Sequence, residues 1–133
     1  MTRLWIILAV LAVSICGSVA DAQLKGTASI PVSIRWVSGT NDTLLTTDCF
    51  NYVHYSASTP VTVTVPNGLG TVCDIVLIQD GAGSIAPAPG TKVVQHASPY
   101  GWTKTVGQYG ALIIHYHNHN GVTSFELFGD GAQ

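Results

Sequence analysis

Three histidines alternate with other residues near the C-terminal end of the chain, at His115, His117 and His119. Alternate residues of a β-strand project from the same face, so His115 and His117 are expected about 7 Å apart on one side of a strand. Two imidazoles at this spacing can bind one zinc or transition-metal ion. His115 and His117 are therefore the candidate metal ligands of this sequence.

Two ligands from one chain do not complete a metal site, and no carboxylate lies near His115 and His117 in the sequence. A bound ion would need several chains that bring their histidine pairs together, for example around a threefold axis at a subunit interface. The simpler interpretation is a solvent-facing strand end beside a polar turn, and catalysis is the third. Apart from this interface metal, the sequence predicts no cofactor.

Cys49 and Cys73 are the two cysteines that follow the hydrophobic N-terminal run. A disulfide between them would close a loop of about 25 residues, which the chain-entropy estimate equates with about 3 kcal/mol of stabilisation. Export from the cytoplasm favours this bond, whereas assembly in a cytoplasm would leave two free thiols. The sequence leaves both alternatives open.

Common enzyme motifs are missing from the sequence, and we predict that the protein is not an enzyme. No G-x-S-x-G motif and no close pair of carboxylates occurs. Gly81-Ala82-Gly83 is similar to part of a phosphate-binding loop, but strand-like residues and Pro87 follow where a helix is required. The formal net charge is −2 and no basic stripe is present, which argues against a nucleic-acid partner.

Residues 1–22 form a hydrophobic N-terminal segment. A positive charge precedes the apolar run of residues 4–16, and the segment ends in Ala-Asp-Ala, a small-x-small cleavage pattern. As a helix the run spans about 20 Å, less than the ~30 Å hydrocarbon core of a membrane. We predict a signal peptide. The alternatives are lipoprotein processing at Cys16 and an uncleaved anchor, which would be the only contact with a membrane.

The candidate ligands must be positioned by strands, because residues 23–133 show no sustained helical period. Residues 38–43 have turn composition, and the nearly continuous apolar run of residues 71–80 predicts a central strand. We predict an all-β fold, a single antiparallel β-sandwich or jelly-roll-like domain. The predicted strands cover residues 27–37, 49–56, 60–65, 71–80, two short stretches in 84–97, 101–106, 109–118 and 122–129.

Asn120-Gly121 is the strongest local signal of the sequence. This dipeptide between two strand-like runs predicts a tight β-hairpin. The prediction leaves His115 and His117 on the first strand of the hairpin and places His119 in the turn.

Four short motifs occur in an order that resembles a small β module of tailed-bacteriophage structural proteins, found in tail fibres, spikes and head decoration or head-fibre proteins. They are VTVTVP (residues 61–66), QDGAG (79–83), GQY (107–109) and LFGD (127–130). The resemblance covers about residues 43–131. Phe125 stands where such modules usually have a tryptophan in the last strand.

The resemblance implies a non-catalytic virion structural protein, located in the virion, that stabilises the capsid or binds the host surface. Its expected partners are other virion proteins or the host surface, and its expected assembly is a homotrimer. A predicted signal peptide is unusual in such modules. It supports the alternative of an exported periplasmic or cell-surface binding protein, encoded by a phage or by a bacterium.

Overall fold

The computed structural model describes residues 32–133, and nearly all of their regular structure is β. The predicted N-terminal segment of residues 1–22 lies outside the described residues. No helix in residues 32–133 is long and apolar enough to cross a membrane. The elements are β1 (Ile34–Val37), β2 (Asn41–Thr43), a 3-10 helix (Thr46–Asp48), β3 (Tyr52–Tyr55), β4 (Val61–Val65), β5 (Val72–Gln79), β6 (Ile85–Pro89), β7 (Val93–Gln95), β8 (Lys104–Thr105), β9 (Ala111–His119), β10 (Val122–Gly129) and β11 (Gly131–Ala132).

The described strands form three sheets. The large sheet has the order β1-β3-β5-β9-β10-β7, the small sheet has the order β2-β4-β6, and β8 pairs with β11. From β1 to β7 the chain alternates between the large and the small sheet, so each strand is followed by one from the other sheet. The predicted all-β character is confirmed, and β5 is central in the large sheet as expected.

The expectation of a wholly antiparallel fold is wrong. The pairs β1/β3, β3/β5, β2/β4, β4/β6 and β7/β10 are parallel, whereas β5/β9, β9/β10 and β8/β11 are antiparallel. Parallel neighbours need a long crossover connection, and here a strand of the other sheet lies within each crossover of the parallel series. The period-2 pattern is the same for both orientations, so the sequence does not distinguish them.

Alternating burial explains why these segments are strands. In β4, Val61, Val63 and Val65 are fully buried while the threonines between them are exposed or half-buried. In β5 the inward residues include Ile75 and Leu77, and both sheets contribute to one hydrophobic core. Apolar burial of this kind is the main stabilising term of a small β domain.

Asn120 and Gly121 both have positive φ, at 51° and 80°. This is the backbone of a two-residue hairpin turn, so the predicted hairpin is confirmed. The predicted position of His119 in the turn is wrong, because β9 continues through His119, which pairs with Val122. All three histidines at alternate positions therefore belong to one strand.

Cys49 and Cys73 form a disulfide, which is one of the two alternatives that the sequence leaves open, and their Cα atoms are 5.0 Å apart. Cys73 lies on the fully buried side of β5, and Cys49 directly follows the 3-10 helix. The bond therefore fixes the 3-10 helix to the centre of the large sheet.

Arg35 of β1 links the edges of both sheets. Its guanidinium donates to both carboxylate oxygens of Asp42 on β2, at 3.0 and 2.8 Å, and to both oxygens of Asp48, each at 2.8 Å. The hydroxyl of Tyr55 donates to Asp42 at 2.7 Å. Burial by itself would raise the pKa of Asp42, but the hydrogen bonds from Arg35 and Tyr55 and the positive charge of Arg35 outweigh it and lower that pKa.

At Gly81 and Gly83 of the GAG sequence, another part of the chain lies close to the backbone. A Cβ on Gly81 would lie 2.1 Å from the carbonyl oxygen of Ala57, and one on Gly83 would lie 2.1 Å from that of Thr59. Only glycine fits at both positions, since any side chain would overlap the neighbouring backbone. The two glycines thus allow the β5–β6 connection to pack closely against the β3–β4 connection.

Candidate functional site

The candidate site lies on the side of the large sheet that faces away from the core. Residues paired across the strands share this side, which we call the outer face. Its strand register joins Ile34, Tyr52, Val76, Ile113 and Phe128 in one row, Trp36, His54 and Ile78 in a second, and Asp74, His115 and Glu126 in a third.

Large apolar and aromatic side chains on this face are exposed. The exposed fraction is 66% for Trp36 and 52% for Ile34, and Tyr52, Ile113 and Phe128 are each more than one-third exposed. A continuous apolar patch on a protein surface is often a functional contact site. The outer face is therefore the part of the described domain best suited to binding another surface.

His115 contacts a carboxylate that lies far from it in the sequence. Its Nδ1 atom lies 2.5 Å from Oδ1 of Asp74, which is 41 residues away in the sequence. The strand register explains the contact, because Asp74 of β5 and His115 of β9 face each other directly. A carboxylate in this position fixes the orientation of the imidazole and leaves its Nε2 atom for a further partner.

His117 has a different environment, although it shares a strand face with His115. Its Nε2 atom lies 2.8 Å from the hydroxyl of Ser124, while its Nδ1 atom is buried and forms no hydrogen bond with the described residues. Its ring lies parallel to that of His96, with 6.1 Å between the ring centroids. The two candidate ligands are therefore engaged with different partners.

The Ser124–His117 distance is that of a nucleophile and its general base, but the geometry around it is not that of a triad. Ser124 is only 2% exposed. The carboxylate that could orient a base, Asp74, contacts His115 and not His117. The Ser–His and His–Asp contacts thus involve two different imidazoles.

Within residues 32–133, no group of three or more His, Cys, Asp or Glu side chains is placed to hold a metal ion. The predicted interface metal at His115 and His117 would require ligands from other chains and stays a prediction. The ring centroids of the two histidines are 5.8 Å apart.

A second histidine–carboxylate pair lies on the same face. Nδ1 of His54 lies 2.7 Å from Oδ2 of Asp80, and the His54 ring packs against the Trp36 ring at an angle of 35°, with 4.5 Å between centroids. Asp80 is 26 residues away from His54 in the sequence. The parallel pairing of β1, β3 and β5 brings these residues together, and only knowledge of that pairing could have revealed the cluster.

A groove of about 420 Å³ lies on the outer face. Three apolar side chains and one histidine–carboxylate pair line it: Val76, Ile113, Phe128, His115 and Asp74. Ligand sites of proteins commonly combine apolar walls with a few fixed polar groups in this way.

Comparison of the chain with protein-family models, curated proteins and solved structures finds no match.

Proposed function

We propose that the protein is a non-catalytic structural protein of a bacteriophage virion, of the capsid-decoration, head-fibre or tail-fibre type. Its β domain, which we propose to be a β-sandwich, associates with further copies of the same chain through the outer face. The observation that carries the proposal is the exposed apolar and aromatic surface of the large sheet. The resemblance of the sequence motifs to phage structural modules supplies the virion context.

The size of the outer face is that of a weak interface between copies. Its three rows hold eleven side chains, which cover about 360 Å² at about 4.8 Å between strands and about 6.8 Å between neighbours on one face. A copy that covers this patch buries an equal area of its own surface, about 700 Å² in total, which is in the range of weak or transient interfaces. The proposed association therefore includes contacts beyond the three rows.

The charges of the outer face also suit self-association. Asp74 and Asp80 each have an imidazole partner, His115 and His54. A copy that covers Asp74 and Asp80 would bury hydrogen-bonded pairs, and burial of an isolated charge is the costly case. Glu126, the third carboxylate of the outer face, has no such partner among the described residues and would have to stay in contact with water.

The oligomeric state tests this proposal. The protein as isolated should sediment as an oligomer, and Ile113→Glu should dissociate it by placing a charge in the apolar interface. Thr62→Glu is the matched control, because Thr62 is an exposed strand residue on the small sheet. A wild-type protein that is monomeric at all concentrations, or equal behaviour of both variants, contradicts the proposal.

The virion location needs a separate experiment. Mass spectrometry of purified particles should detect the chain, and its absence from particles would exclude a virion protein. The alternative is an exported periplasmic or cell-surface binding protein, which the Cys49–Cys73 disulfide favours because such bonds persist in oxidising compartments. That alternative predicts a mature N-terminus at Asp21 or Gln23.

A further inference from the structure

Tyr109 is an exposed aromatic residue in a costly backbone conformation. Its φ is 65° and its exposed fraction is 75%. Residues other than glycine, asparagine and aspartate seldom adopt left-handed backbone, because the Cβ atom then crowds the carbonyl oxygen. The backbone is held there by the N–H group of Tyr109, which donates to the carbonyl of Gln79. The fold thus presents a tyrosine ring to solvent at a position where glycine would fit better.

The most exposed aromatic side chains differ in what they already contact. Trp36 and Tyr100 each pack against a neighbouring ring, at centroid distances of 4.5 and 4.7 Å. Phe50 and Tyr109 form no aromatic pair with the described residues. Of these two, Tyr109 alone has a hydroxyl group.

The groove of the outer face has the chemistry to bind such a ring. Val76, Ile113 and Phe128 provide apolar walls, and His115 provides the polar group. Because Asp74 binds Nδ1 of His115, a neutral imidazole keeps its proton on Nδ1 and offers Nε2 as an acceptor. The groove therefore suits an apolar group that carries one hydrogen-bond donor, and the phenol of a tyrosine is such a group.

We propose that Tyr109 of one copy inserts into the groove of the next copy and donates its hydroxyl to Nε2 of His115. Tyr109 does not line the groove of its own chain. The contact joins two different surfaces, so it is head-to-tail and can close into a ring such as a trimer. The inference rests on the proposed self-association and names the contact that drives it.

Single variants give the first test, with sedimentation velocity as the readout and thermal unfolding as the check on folding. Tyr109→Ala should dissociate the oligomer and leave the domain folded. Tyr109→Phe keeps the ring and should weaken association about tenfold, the effect of one lost hydrogen bond. Phe50→Ala is the matched control, since Phe50 is also an exposed aromatic residue with positive φ.

A mixing experiment tests the pairing itself. A Tyr109→Ala chain has an intact groove, and an Ile113→Glu chain has an intact Tyr109. Each variant alone should be monomeric, and an equimolar mixture should form a one-to-one heterodimer and nothing larger. If the wild type is oligomeric and Ile113→Glu dissociates it but Tyr109→Ala does not, the Tyr109 contact is wrong while self-association through the outer face stands. A mixture that remains monomeric also overturns the contact.

Discussion

Arg35 and Asp42 form two parallel hydrogen bonds that join the first described strand of the large sheet to that of the small sheet. The same guanidinium binds Asp48, so one cation neutralises two carboxylates that are largely covered by protein. This cluster holds β1, the edge strand of the large sheet, in place. Ile34 and Trp36 of the same strand are exposed to solvent.

Replacement of Arg35 should therefore destabilise the domain strongly. We expect Arg35→Met to lower the free energy of unfolding by about 3 kcal/mol, because it leaves two carboxylates without their cation. Urea denaturation measures this change. Lys104→Met is the control, since Lys104 is an exposed strand residue, and its effect should stay within about 0.5 kcal/mol. Equal effects of the two substitutions would mean that the cluster does not stabilise the fold.

The lowered pKa of Asp42 predicts acid sensitivity. Because the folded-state pKa lies below the ordinary value of about 3.9, the contribution of Asp42 to stability is complete above that value. It is lost as the pH falls through the folded-state pKa. Denaturant titrations between about pH 5 and about pH 2 should show a steeper loss of stability for the wild type than for Asp42→Asn. Asp130→Asn, at an exposed position, should keep the wild-type slope.

The Cys49–Cys73 bond should contribute about 3 kcal/mol through the loop that it closes. Replacement of both cysteines by alanine, or reduction of the wild type, should lower the free energy of unfolding by that amount. A free-thiol assay of the native protein should detect neither cysteine. Stability that is unchanged by reductant would show that the bond has no structural role under the conditions used.

Tyr109→Asn should separate stability from assembly. Asparagine tolerates left-handed backbone, so we expect the free energy of unfolding of the monomer to rise by about 0.5–1 kcal/mol. The same substitution removes the phenol and should abolish association. Phe50→Asn relieves the same strain and should leave the oligomer intact. If both variants remain oligomeric, Tyr109 does not take part in assembly.

An interface metal at His115 and His117 would make a different demand on the same imidazole. If Nε2 of His115 accepts a hydrogen bond from the hydroxyl of Tyr109, this nitrogen cannot bind a metal ion at the same time. We therefore expect the oligomer to sediment unchanged after exhaustive treatment with EDTA. Dissociation on chelation, together with metal found by elemental analysis in wild type but not in a His115→Ala/His117→Ala variant, would instead support the metal site.

The fold could be predicted where local chemistry decides the structure. The alternation in β4 and the Asn120-Gly121 turn are both readable from neighbouring residues. The turn composition of Asn41–Thr43 does not predict a strand, and this segment is a strand through pairing with β4 and the binding of Asp42 by Arg35. Tertiary contacts overrode propensity there.

The candidate site was harder to predict than the fold. The sequence groups Ile34 and Trp36 on one strand face, but that face is the solvent side, because Arg35 turns inward to its carboxylates. The partners of His115 and His54 lie 41 and 26 residues away. Their proximity depends on strand order and register, which neighbouring residues do not encode.

The disulfide also determines how the domain would respond to mechanical force. Cys49 and Cys73 bracket β3 and β4, with a sequence separation of 24 residues. A pull on the two ends of the chain is transmitted through the sulfur bridge, so these two strands are never stretched while the bond is intact. The maximum end-to-end length of the stretched chain is then shorter by about 80 Å, at about 3.5 Å per residue. Under mechanical load the domain would keep this closed loop even when the rest of its chain has been drawn out.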